Sequence, residues 1–222
     1  MTVKLNLLFL YLILAYTLIR AETKFVGSHL TQNRKLPPNR LQKFHDKKIS
    51  KFCKLSKLEH GNGTQNDDGF CSSTPQGEIP KSTHMPSTLI LEPHNGATLK
   101  AHRSFTVKIK TERLTLGNFA DPFIQYNLFS QTLDSNGFIL GHLHLAVQRL
   151  HNLNSPPDPN VLAFFEGLGD SGEKGILTAV VDKLPPGIYR ICTISASFSH
   201  QPLVMPEAKR GSQDDCIRIT LE

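Results

Sequence analysis

Phe105-Thr106-Val107-Lys108-Ile109-Lys110 sets an apolar side chain at every second position. Successive side chains of an extended chain point to opposite faces, so this is the pattern of a strand with one face in a core and the other in water. Similar stretches lie on both sides. Leu89 to Leu91 runs into a turn at Pro93-His94-Asn95-Gly96, and Phe123 to Phe129 and Phe138 to Gln148 read as two further strands. Pro156 to Pro159 breaks the chain before a short segment, Val161 to Gly167, expected to be helical. Ile176 to Val181, Ile188 to Ser195 and Cys216 to Leu221 complete about seven strands. Strands at this spacing, separated by Gly, Pro and Asn turns, predict an all-β fold over residues 87–222: an antiparallel, immunoglobulin-like β-sandwich. Leu184-Pro185-Pro186-Gly187-Ile188-Tyr189-Arg190-Ile191-Cys192 is similar to the tyrosine corner of such sheets, with Tyr189 three residues before Cys192 rather than two.

The whole chain has 222 residues, 39% of them hydrophobic, and a formal charge of +6. That composition fits one or two domains and excludes both a wholly disordered chain and a multi-pass membrane protein. The charge is uneven. Residues 1–21 carry two basic side chains, residues 22–86 eleven basic and six acidic, and residues 87–222 twelve basic and thirteen acidic. The predicted body is therefore near neutral, and no specific nucleic-acid partner is expected of it.

Met1 to Ala21 reads as a secretory signal peptide, with Lys4 as the basic start, Leu5 to Ile19 as the apolar run and Ala21 at the cut. Secretion makes disulfides the default for Cys53, Cys71, Cys192 and Cys216. Of three possible connectivities, 53 with 71 and 192 with 216 is favoured, because each pair falls within one locally organised segment. No C-x-x-C is present to hold zinc through thiolates. Asn62-Gly63-Thr64 is a glycosylation sequon in a polar loop.

Residues 22–86 are polar and turn-rich, and too few apolar groups are present to offset backbone ordering; the segment is expected to be largely disordered. One stretch stands apart. Between Arg34 and Lys57 nine basic residues meet a single acid, Asp46, while Leu41, Phe44, Ile49, Phe52, Leu55 and Leu58 share one half of a helical wheel. A short basic amphipathic helix there would suit an anionic membrane surface, nucleic acid or an import receptor. Arg34 and Lys35, followed after eleven residues by Lys47, Lys48 and Lys51, fit a bipartite nuclear-import pattern. A solvated basic tail that aids solubility explains the same charges.

For chemistry, Gly141-His142-Leu143-His144-Leu145-Ala146-Val147-Gln148 is the most informative stretch. On a strand His142, His144 and Gln148 share one face and Leu143, Leu145 and Val147 the other. His-x-His on a strand aims two imidazoles at one metal ion, and His200 is the candidate third ligand. Two histidines on a hydrogen-bonded sheet face are the plainer alternative. No G-x-S-x-G turn, free thiol or glycine-rich phosphate loop accompanies them, and Asp214-Asp215 and Glu166 with Asp170 read as solvated carboxylates. The expectation is a protein that binds rather than catalyses, with no cofactor required.

The signal peptide, the basic front, Gly141-His142-Leu143-His144, Leu184 to Thr193, His200-Gln201-Pro202 and Arg210-Gly211-Ser212-Gln213-Asp214-Asp215-Cys216 together resemble the rust transferred protein family of plant-pathogenic rust fungi. The C-terminal motifs also resemble a wider set of secreted fungal proteins. The resemblance implies an effector secreted from haustoria into the extrahaustorial matrix and moved to the host cytoplasm and nucleus. It further implies four cysteines supporting the structured part, a C-terminal domain likened to cysteine protease inhibitors, host-protein partners and self-association into β-rich filaments.

Overall fold

A computed structural model describes residues 49–222, all within one compact unit. The signal peptide, Arg34, Lys35, Lys47 and Lys48 lie outside the described residues.

Among the described residues a short α-helix and a 3-10 turn (Ser82–His84) precede nine strands: α1 (Lys51–Leu55), β1 (Ser87–Glu92), β2 (Thr98–Leu99), β3 (Phe105–Glu112), β4 (Leu114–Thr115), β5 (Ile139–Leu150), β6 (Phe164–Leu168), β7 (Ile176–Val181), β8 (Gly187–Ser197) and β9 (Cys216–Leu221). They form a three-stranded antiparallel sheet, β1-β3-β7, and a six-stranded sheet, β2-β9-β8-β5-β4, with β6 on the other part of β5. The larger sheet is mixed, because β2 joins β9 and β4 joins β5 in parallel. In that respect it departs from the purely antiparallel arrangement expected.

One core serves both sheets. Ile90, Val107, Ile109 and Val181 of the smaller sheet meet Leu143, Leu145, Val147, Ile191 and Ile219 of the larger one. Alternation accounts for this: Val107 and Ile109 are sealed while Thr106 is exposed. Tyr189 is buried, and its hydroxyl donates to the Pro185 carbonyl at 2.8 Å, so the corner bond forms despite the three-residue offset.

Two expected elements differ. Phe123 to Phe129 is a chain of turns rather than a strand, and Phe123 and Ile124 stand 59% and 62% exposed. Asp121 sets it off: its carboxylate accepts from the Phe123 amide and its carbonyl from those of Ile124 and Gln125, and Asn127 adopts φ 56°. Within Val161 to Gly167, the expected helical turn gives way to β6, which pairs with Leu143–Val147 of β5 and satisfies backbone groups an isolated turn would leave open.

Residues 49–86, assigned by the sequence to a largely disordered segment, follow a defined path against the body. A disulfide joins Cys53 to Cys71, both buried. The Glu78 amide donates to the Gln131 carbonyl, Gln131 Nε2 returns a bond to the Glu78 carbonyl, and the Tyr126 amide donates to the Gly63 carbonyl. A cross-link and main-chain bonds thus stand in for the missing apolar contacts. Of the basic stretch from Arg34 to Lys57, only residues 49–57 are described; they hold one helical turn, α1, capped by Ser50, on which Phe52 is 78% and Leu55 88% exposed. Lys51 opens that turn on the surface.

The second disulfide, Cys192–Cys216, links directly opposed residues of β8 and β9, so the pairing is the nearest-neighbour one at both sites. Just before it, Asp214 and Asp215 are not the solvated pair expected. Asp214 Oδ1 accepts from the Ser195 amide and hydroxyl, each at 2.7 Å, and from Thr193 Oγ1 at 3.3 Å. Asp215 Oδ2 accepts from the Ile90 amide at 2.8 Å, where β1 shifts register, and so ties one sheet to the other. Removing Asp214 strands donors on the buried Ser195. Asp214→Ala is therefore expected to lose about 2 kcal/mol of stability; a urea midpoint equal to wild type would contradict this lock.

Candidate metal centre

His142 and His144 stand two residues apart on β5, on the face turned away from the core that holds Leu143 and Leu145. His200 arrives from the turn beyond β8, where the His200 amide donates to the Ser197 carbonyl and the Ser197 amide to the Gln201 carbonyl. His200 sits at φ 74°, a left-handed conformation that non-glycine residues adopt rarely. The turn is pinned from beneath, because Ser199 Oγ donates to the Phe129 carbonyl and accepts from the Phe129 amide. Strain held in place this way clusters at functional sites.

The loop after β4 supplies the orienting groups. The Asn118 amide donates to the Gly141 carbonyl and the Ala120 amide to the Phe198 carbonyl, which stitches the loop across the ends of β5 and β8. Asn118 Nδ2 caps the Thr115 and Leu116 carbonyls and fixes the bend. The carbonyls of Asn118 and Ala120 then face the two rings: His142 Nδ1 lies 3.1 Å from the first and His200 Nε2 2.9 Å from the second.

A carbonyl oxygen only accepts, so the proton of neutral His142 is assigned to Nδ1 and that of neutral His200 to Nε2. Each ring's remaining nitrogen carries a lone pair, and these two nitrogens, His142 Nε2 and His200 Nδ1, are 3.1 Å apart. Neutral rings held this way have no proton between them. Burial keeps His142 well below the ordinary histidine pKa, with the charges of His144 and His200 adding to the effect. His144 is pushed down to about 4 by burial and by His200, and His200 is lowered by burial against the opposing pull of the Ala120 carbonyl and Asp121.

Aromatic rings wall the cluster. Phe165 stacks on His144 at 5.3 Å, His144 on His200 at 5.5 Å, and Tyr126 on His200 at 6.0 Å, with His142 set edge-on to both histidines. Phe119 closes the side of His142 at 5.9 Å. One nitrogen from each of the three histidines falls within 4.8 Å of the others, and the group contains no carboxylate or thiolate. Two imidazoles on a tetrahedral zinc at 2.0–2.1 Å would lie about 3.3 Å apart, and opposed nitrogens on one ion at most about 4.1 Å. His142 and His200 are therefore already near ligand spacing. Bringing in His144 from a separation of at most 4.8 Å closes a gap of up to about 1.5 Å.

The family model described as the CLU5d N-terminal domain matches residues 88–222. The chain belongs to that family. The match includes all three histidines, β1 to β9 apart from the first residue of β1, and the Cys192–Cys216 bridge. A relative, pathogenicity cluster 5 protein d of the fungus Colletotrichum graminicola, is 39% identical over 175 residues, which is 77% of this chain and 36% of that protein. The chain thus spans a little over a third of that relative's length. These matches support a fungal pathogenicity-cluster family and do not single out the rust transferred proteins. Two superoxide reductase (neelaredoxin) structures from Ignicoccus hospitalis, one named T24K, share 12% and 10% identity. Each covers 61% of this chain and 80% of its own, with TM-scores of 0.31 and 0.29, a likeness too slight to carry fold or function.

The other candidate site is the sequon. Asn62 is exposed, and its Oδ1 accepts from the Thr64 amide at 2.9 Å and the Thr64 hydroxyl at 2.6 Å, a compact turn on the surface. Material secreted from a eukaryotic host is expected to lose mass on amidase deglycosylation, and Asn62→Gln to abolish that loss. An unchanged mass on treatment would show Asn62 unmodified.

The carbonyls of Asn118 and Ala120 and the rings of Phe119, Tyr126 and Phe165 are the parts of the site that sequence reading missed. A main-chain carbonyl has no signature in side-chain identity. The Phe-rich loop at 119–129 was the one available signal, and alternation alone disguised it as a strand.

Proposed function

We propose that this chain is a secreted, virulence-associated fungal protein whose β domain binds one transition-metal ion through His142, His144 and His200. The observation that carries the reading is the pair of carbonyl-anchored imidazoles whose lone pairs face each other across 3.1 Å. Two lone pairs so placed repel, and a cation between them turns the repulsion into two bonds. Backbone carbonyls on the far ring nitrogens are the usual outer support of histidine ligands and raise their basicity. An all-imidazole set suits copper, zinc or nickel and disfavours calcium and magnesium, which prefer oxygen. When bound, the ion would cross-link β5 to the β8 turn and offer Lewis acidity; the chain's own groups hold it, orient it and wall it with aromatic rings.

Competition with a chromophoric chelator tests this. One equivalent of copper(II) or zinc should bind with submicromolar affinity at pH 7, and binding no tighter than that of a His142→Ala, His144→Ala, His200→Ala variant would overturn it.

Secretion is supported by two disulfides in an even-cysteine chain and by the signal-peptide reading of residues 1–21. The relative's designation as a pathogenicity cluster protein supports a role in virulence. Strand spacing and the Tyr189 corner bond support an immunoglobulin-like sandwich, and the resemblance to the rust transferred proteins is what supports entry into host cytoplasm and nucleus, cysteine protease inhibition and filament assembly. Incubation with a papain-like protease tests the inhibitory part: unchanged protease activity at micromolar excess removes it and leaves the metal reading standing.

A further inference from the structure

We propose that the ion held by the three histidines keeps one coordination position open to solvent beside Gly167, and that this position takes a small anion. The inference rests on the metal reading above and concerns what the bound ion meets next.

Three protein ligands leave a fourth position on a tetrahedral ion. Most sides of the cluster are closed: Asn118 and Phe119 cover His142, Ala120 and Tyr126 cover His200, and Phe165 covers one face of His144. His144 differs from the other two. Like His200 it is only partly buried, but its ring makes no hydrogen bond among the described residues, whereas main-chain carbonyls anchor the other two.

The residue directly across from His144 on β6 is Gly167, and across on β8 it is Ile194, 44% exposed. Gly167 is itself exposed. A methyl group placed there would have a single neighbour within 4 Å, the Cδ2 of His144 at 3.5 Å, an ordinary contact. Neither backbone conformation nor crowding therefore requires glycine at this position, which contrasts with Gly141, where a Cβ would collide with the Ala196 carbonyl at 2.2 Å. Glycine inside a strand weakens it and often marks the close approach of a ligand. Here its effect is to leave bare the imidazole edge on which Nε2 adjoins Cδ2. Any side chain longer than alanine at 167 would lie over that edge.

The open position therefore faces a gap one residue wide, rimmed by Phe165 and Ile194. A small anion such as azide or a halide is the ligand class proposed for that position. A dipositive ion on three neutral imidazoles carries uncompensated charge, so an anion is the favoured occupant.

The experiment loads untagged protein with one equivalent of copper(II) and titrates azide, following the azide-to-copper charge-transfer absorption and the electron paramagnetic resonance spectrum. Wild type should show a saturable new band. Gly167→Val should weaken azide at least tenfold while copper stoichiometry stays at one and copper affinity changes by less than threefold, with Gly167→Ala in between. Copper bound without any azide response, or Gly167→Val binding azide like wild type, overturns this inference alone. Failure of wild type to bind copper overturns the metal reading and this inference with it.

Discussion

Alanine in place of His142 is expected to lower the affinity for copper(II) or zinc at least a hundredfold. His142 is the hub of the cluster: its Nε2 faces His200, its ring is edge-on to His144, and its Nδ1 is held by the Asn118 carbonyl. Loss of outer-shell support alone typically costs 10–100-fold in metal affinity, and loss of a ligand costs more. Because His142 is 2% exposed, the alanine variant also leaves a cavity. His200→Ala supplies the second reading, since that residue sits on a surface turn and is less buried. Both variants should keep wild-type far-ultraviolet circular dichroism while losing the metal. Metal affinity within threefold of wild type in either folded variant would remove that histidine from the site.

Acid should destabilise the metal-free protein well before its carboxylates protonate. The folded pKa values of His142, His144 and His200 all lie below the ordinary value, chiefly through burial. Between the folded and unfolded pKa values the unfolded chain holds protons that the folded chain does not, so stability rises with pH in that window. The contribution is complete above pH 6.5 and is lost as pH falls. For His144 the loss runs down to about pH 4. At about 1.4 kcal/mol per unit, His144 alone accounts for about 3 kcal/mol. The other two act in the same direction. Urea midpoints with chelator present should fall steeply between pH 7 and pH 4.5, and His144→Leu should flatten that fall. A wild-type profile that does not change over this range would contradict the burial of neutral imidazoles.

Strand identity was legible wherever one face of a strand meets the core. Phe105 to Lys110 and the Gly141 to Gln148 run announce themselves by period two, and the larger sheet places its histidines on the face that this period predicts. Phe123 to Phe129 shows the limit: Tyr126 lies on His200, Phe129 packs on Phe198 and Phe123 and Ile124 are exposed, and the turn is imposed by the bonds of Asp121, which alternation does not register. The candidate ligands were readable by residue type, and the folded chain brings all three together. What decides their chemistry was not readable, because it lies in two backbone carbonyls, a left-handed His200 and a glycine whose significance depends on the β5–β6 register. Asp214 and Asp215 teach the same lesson, since hydrophilic residues beside a cysteine read as surface until their partners across the sheets are known.

The most direct test is the metal content of untagged protein that has been stripped with chelator, given a slight excess of zinc or copper(II), and desalted before elemental mass spectrometry. About one ion per chain in wild type, and none in a His142→Ala, His200→Ala double variant of unchanged fold, is the predicted result. Wild-type protein that emerges from desalting without metal would contradict the central claim.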